Sequence, residues 1–98
     1  MIAVDKLRKV QLVKGEFSPS EAWDVINGLL DEKINFHKIQ RLKIYEGNEQ
    51  AETLDADERI RELMEEKKHA RRVVREARER GCTLEISGTI NFKLKDCH

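Results

Sequence analysis

From Leu84 to Leu94 the even positions read Leu84, Ile86, Gly88, Ile90, Phe92 and Leu94, and the odd ones read Glu85, Ser87, Thr89, Asn91 and Lys93. Side chains alternate across a strand, so this is one apolar face and one wet face with no register error. A strand of this kind, placed at about 83–94, must lay its apolar face on something. Gly88 interrupts the face, which fits a bulge, a bend or a close backbone approach. A tight hairpin at Ser87-Gly88 is the other reading, but the apolar parity is the same on both sides, so one long bent strand is simpler.

Upstream lies a helix at about 55–80, because Ile60, Leu63, Lys67, Ala70, Val74 and Ala77 step by three and four residues, a heptad-like seam with one lysine in it. Asp55 and Glu58 have capping-box spacing at its start, and Gly81 stands where a left-handed C-terminal glycine belongs. Acids crowd its first turns and bases its last, as the macrodipole favours. An earlier helix, at about 19–45, opens with Ser18-Pro19-Ser20-Glu21: an N-cap, a proline at the first helical position and a glutamate that closes a capping box. Phe17 precedes it at the hydrophobic-staple position. No proline interrupts Ala22 to Tyr45, and the helix should end near Glu46-Gly47-Asn48, with a polar connection to Leu54. Arg8–Lys14 reads as a strand. Ile2, Val4, Val10 and Leu12 share one parity, and whether Met1–Leu7 extends the strand or frays is open.

The order is strand, helix, helix, strand: an α+β, two-layer β-α-α-β domain spanning residues 1–98, with a long antiparallel helical hairpin packed on a two-stranded antiparallel ribbon. Helices of about 26 residues run ~39 Å and a twelve-residue strand ~40 Å, so the four segments are expected to lie side by side. A two-stranded ribbon is only ~10 Å wide and the hairpin about 20 Å, so the ribbon cannot cover it. The first helix also has a wide apolar arc. Ile39 and Leu42 lie on the far side of that arc, and Val25, Leu29, Glu32, Phe36 and Ile39 fit the seam of a supercoiled helix. The expected closure is a symmetric homodimer with Val25, Leu29, Phe36, Ile39 and Leu42 at the interface.

Composition excludes several classes. In 98 residues, nineteen bases balance nineteen acids, so no net field attracts nucleic acid or anionic lipid. No run reaches the ~18 apolar residues of a membrane span, and the N-terminus has no signal-like apolar stretch. Two cysteines are too few for a disulfide scaffold, which points to a reducing cytoplasm. Five residues could ligate a metal or act as nucleophiles: His37, His69, His98, Cys82 and Cys97. None stands in a ligand spacing, and Cys82 follows a helix C-terminus, the wrong end of the dipole for a reactive thiolate. No phosphate loop or nucleophile elbow occurs, so neither an enzyme nor a cofactor is expected. His37 falls within the apolar arc with Lys33, Asn35 and Gln40. These form either a polar ligand or metal pocket between the helices or, on the preferred reading, an outward face of a supercoiled helix.

Charge is uneven along the chain. Residues 67–80 hold seven bases and two acids, and residues 46–66 hold nine acids and two bases. Complementary ends suit an antiparallel neighbour, and pairs such as Glu65 with His69 and Glu76 with Arg80 are spaced to form along the helix. The alternative is a small nucleic-acid-binding protein that contacts phosphate through Lys67, Lys68, Arg71, Arg72, Arg75 and Arg78. The leading expectation is a homodimeric adaptor or interaction module with a protein partner.

Overall fold

A computed structural model describes residues 7–47 and 53–96. Four elements follow in the expected order: strand β1 (Arg8–Phe17), helix α1 (Pro19–Gly47), helix α2 (Leu54–Arg80) and strand β2 (Leu84–Phe92). The strands pair antiparallel, giving an α+β fold of two strands and two helices. Residues 1–6, most of the 46–54 connection, and Cys97 and His98 lie outside the described residues.

Local chemistry accounts for the helix ends. The Ser18 hydroxyl accepts a hydrogen bond from the Glu21 amide at 3.3 Å, and the Glu21 carboxylate accepts from the Ser18 amide at 3.2 Å and from its hydroxyl at 2.8 Å. This is the expected capping box. At the end of α2, Gly81 adopts φ 67° and ψ 32°, its amide reaches the Arg78 carbonyl, and the Cys82 amide reaches the Ala77 carbonyl at 2.8 Å. That pair of bonds is a Schellman motif, and its left-handed residue is one that only glycine adopts without strain. The start of α2 departs from expectation. Thr53 is the N-cap and makes no side-chain cap bond, so the Asp55–Glu58 box is not what opens the helix. The Thr53 hydroxyl instead donates to the Asp57 carboxylate at 3.0 Å, which Arg41 of α1 also holds at 2.9 Å. A cross-helix ion pair takes the place of a local cap.

β1 extends three residues beyond its expected end, because Gly15, Glu16 and Phe17 pair with Ile86, Glu85 and Leu84. β2 runs unbroken through Ser87-Gly88, which excludes the hairpin reading. Gln11 pairs with Thr89 and Val13 with Gly88, leaving Leu12 as the extra residue of a β-bulge. The bulge changes the parity of β1: Val10 shares the apolar face of β2 through Ile90, but beyond it the odd residues Val13 and Phe17 do so through Gly88 and Leu84. Gly88 is therefore a close approach. A Cβ there would come within 3.3 Å of Val13 Cγ1.

The two arms diverge. A 29-residue helix is about 43 Å long and a ten-residue strand about 33 Å, so a ribbon lying on the hairpin would leave a middle dimension near 20 Å. The principal extents are 52 × 46 × 14 Å. The ribbon thus continues away from one end of the hairpin as a second arm of a flat molecule, and the side-by-side layering expected of the sequence does not occur. The hairpin spends its inward apolar residues in the seam between its own helices, and what is left over faces the flank of α1 instead of the ribbon. At the elbow, the Thr83 hydroxyl donates to Glu16 at 2.6 Å, and Arg78 reaches the Ser20 hydroxyl at 3.5 Å.

The cap generates a prediction. Hydrogen bonds from the Ser18 hydroxyl first, and the Ser18 amide second, hold the Glu21 carboxyl below its ordinary value of 4.5. A depressed carboxylate contributes stability that is present above its unfolded value and lost as pH falls through the folded one. Ser18→Ala should lower stability at neutral pH by about 1 kcal/mol. In denaturant titrations at pH 7 and pH 3, the gap between wild type and variant should narrow at the lower pH.

Candidate functional site

The hairpin seam and the flank beside it carry the residues of interest. On α2, Ala56, Ile60, Val74 and Ala77 are buried and Leu63, Lys67 and Ala70 half-buried, so the heptad read from the sequence is the face that meets α1. On α1 the inward set is Ala22, Ile26, Leu30, Ile34 and His37. Cross-helix pairs fix the alignment: Ser20 with Arg78, Asp31 with Lys67, and Arg41 with Asp57. The numbers of each pair add to 98, so one antiparallel register holds along the whole hairpin. The Arg41 guanidinium, then the Thr53 hydroxyl, hold the Asp57 carboxyl below the ordinary aspartate range.

His37 alone departs from the preferred reading of α1. It is only 7% exposed, so it faces the seam instead of turning outward. Its Nδ1 lies 3.0 Å from Gln40 Oε1, its ring meets Phe36 edge to face at 5.3 Å, and its Nε2 is buried without a partner among the described residues. Of the expected polar set Gln40 is the one hydrogen-bonded to it, and Lys33, Asn35 and Gln40 are all exposed, as the outward reading expects. Among the described residues no group of three His, Cys, Asp or Glu side chains is placed to hold a metal. Cys82 is a free, exposed thiol.

The apolar stripe expected to be a supercoil seam is outside the hairpin. Val25 is half-buried, and Leu29, Phe36, Ile39 and Leu42 are 43, 56, 46 and 55% exposed. At 100° per residue it lies roughly 120° around α1 from the buried set. Lys33 crosses it, with its ammonium 5.0 Å from the Phe36 ring centroid. The ribbon is also uncovered toward its far end, where Val10, Leu12, Ile90, Phe92 and Leu94 are all about half exposed. A charge division along α1 escaped the sequence reading: Pro19–Glu32 has four acids and no base, and Lys33–Gly47 has four bases and one acid. Counting formal charge separately in each half of the helix would have found it.

The basic half of α2 does not form one surface. Lys67 is tied to Asp31 and Lys68 to Glu65, so Glu65 does not serve His69, whereas the expected Glu76–Arg80 pair does form at 3.2 Å. Arg72 lies on a different face. Arg71, Arg75 and Arg78 share one side and line a groove of about 250 Å³ with Val74 and Trp23, the guanidinium of Arg71 lying 5.0 Å from the Trp23 ring centroid. Trp23 belongs by helical spacing to the wide apolar arc of α1, and only the pairing of the helices puts it beside arginines.

Compared with known proteins, the chain matches no family model, no curated protein and no solved structure. No helix among the described residues is long and apolar enough to cross a membrane.

A buried imidazole nitrogen with no partner costs stability, whereas an apolar group of similar size at the same place leaves nothing unsatisfied. His37→Leu should therefore fold at least as stably as wild type, by up to about 1 kcal/mol more. Chemical denaturation measures this, and a marked loss would mean that the imidazole has a partner in solution.

Proposed function

We propose that the chain is a homodimeric interaction module, a binding protein and not an enzyme. Surface area carries this reading. A folded monomer of 11.5 kDa is expected to expose about 5,800 Å². This chain exposes 8262 Å². The radius of gyration is 18.0 Å, against about 13 Å for a compact chain of this length. The excess, near 2,500 Å² per chain, is of the size that obligate homodimers bury. Part of it is apolar, in one stripe along the α1 flank and a second patch at the far end of the ribbon, and exposed apolar patches of this kind mark surfaces that a partner covers. The free, exposed thiol of Cys82 fits a reducing compartment such as the cytoplasm. An unidentified protein partner would then dock on the assembled pair.

Light scattering at tens of micromolar should return twice the 11.5 kDa chain mass, and the mass of one chain would refute the proposal. Leu29→Asp puts a charge on the outer stripe, 43% exposed in the lone chain, and should shift the mass toward one chain.

A second reading has one observation in its favour. Trp23 beside Arg71, Arg75 and Arg78 is an aromatic and cationic groove of the kind that takes single-stranded nucleic acid, where guanidinium planes and rings stack bases. Trp23 is the only tryptophan, so its fluorescence reports the groove directly. If this reading holds, a single-stranded oligonucleotide quenches that fluorescence at low salt, Arg75→Ala weakens the quenching, and Arg72→Ala, on another face, does so less. Unchanged fluorescence at low salt eliminates it.

A further inference from the structure

We infer that the second copy docks antiparallel along α1, with the two-fold axis passing beside Glu32 and Lys33. This rests on the homodimer reading and specifies its geometry.

Val25, Leu29, Glu32, Phe36 and Ile39 are spaced four, three, four and three residues apart, the spacing of a helix–helix seam, and this line faces away from α2. A seam with its own intrachain partner would be buried, but Leu29, Phe36 and Ile39 are 43, 56 and 46% exposed. The stripe is therefore a seam without a partner among the described residues. Charge selects both the occupant and its direction. With Asp31 and Arg41 tied to α2, the N-terminal half of α1 still carries three acids, Glu21, Asp24 and Glu32, and the C-terminal half three bases, Lys33, Lys38 and Lys43, against one acid. A parallel copy would set acid on acid and base on base. An antiparallel copy sets each half against its opposite, as opposite potentials across an interface favour.

The register follows from the spacing. Val25 packs against Ile39 of the second copy, Leu29 against Phe36, and Glu32 comes to the axis beside its own mate. Two carboxylates at an axis repel unless cations accompany them. Lys33 supplies them: its ammonium already lies over the Phe36 ring, on the stripe, and neither Lys33 nor Glu32 has an ion-pair partner among the described residues. Lys33 of each copy thus meets Glu32 of the other.

Disulfide trapping tests the direction. With Cys82 and Cys97 changed to serine, circular dichroism first confirms that each variant folds. A disulfide needs Cα atoms within about 7 Å. In the antiparallel pair Val25 lies about 21 Å from its own mate, fourteen residues being the offset between Val25 and Ile39. Under mild oxidation Glu32→Cys should give a covalent dimer, Val25→Cys and Ile39→Cys alone should not, and the Val25→Cys, Ile39→Cys double variant should give it as the major product. Cross-linking by Val25→Cys alone would mean a parallel pair and overturn the inference. A dimeric mass with no cross-link in any variant would place the interface elsewhere and also overturn it, leaving the homodimer reading intact. A single-chain mass would overturn both.

Discussion

A seam about one side chain wide joins the two helices, and apart from the ladder between the two strands little else packs over a comparable length. Ala56, Ile60, Val74 and Ala77 of α2 meet Ala22, Ile34 and His37 of α1, and among the described residues no large side chain is fully buried. Two helices side by side cannot enclose anything, because each presents one stripe to the other and the rest of its circumference to water. The flat outline, the diverging ribbon and the exposed flank of α1 all follow from that limit. So does the weight borne by the cross-helix polar pairs, which hold the register where the apolar contact is thin.

The capping box at Ser18, the C-terminal glycine at Gly81, the α2 heptad and the alternation in β2 could all be read in the sequence, because each is settled within a few residues. What could not be read depends on a neighbour. The parity of β1 changes at Leu12, and a bulge is visible only when Gly88 stands opposite. His37 turns inward because α2 lies on that side of α1, whereas helical projection alone allows either face. Asp57 rather than Asp55 organises the start of α2, since its partner Arg41 is sixteen residues away. The divergence of ribbon and hairpin was the largest departure, because matching lengths say nothing about the angle between elements.

The candidate site was legible in the sequence as a line of residues, and its place on the molecule was not. Val25, Leu29, Phe36 and Ile39 are recognisable as a line of heptad spacing expected between copies, and the structure puts that line on the flank of α1, outside the hairpin seam. That outcome strengthens its reading as a surface between copies, since an apolar line already used inside the chain could not serve another. The six candidate basic residues of α2 separate similarly: three of the four arginines share a groove with Trp23, while the two lysines are paired within the chain.

Ser18 and Gly81–Thr83 are the only stretches of chain linking the helices to the ribbon, and both leave from the same end. The ribbon is therefore a lever about 33 Å long hung on two short joints. A rotation of ten degrees there sweeps its free end through roughly 6 Å, so a modest adjustment in the backbone around one left-handed glycine is magnified into a displacement larger than the spacing between neighbouring strands.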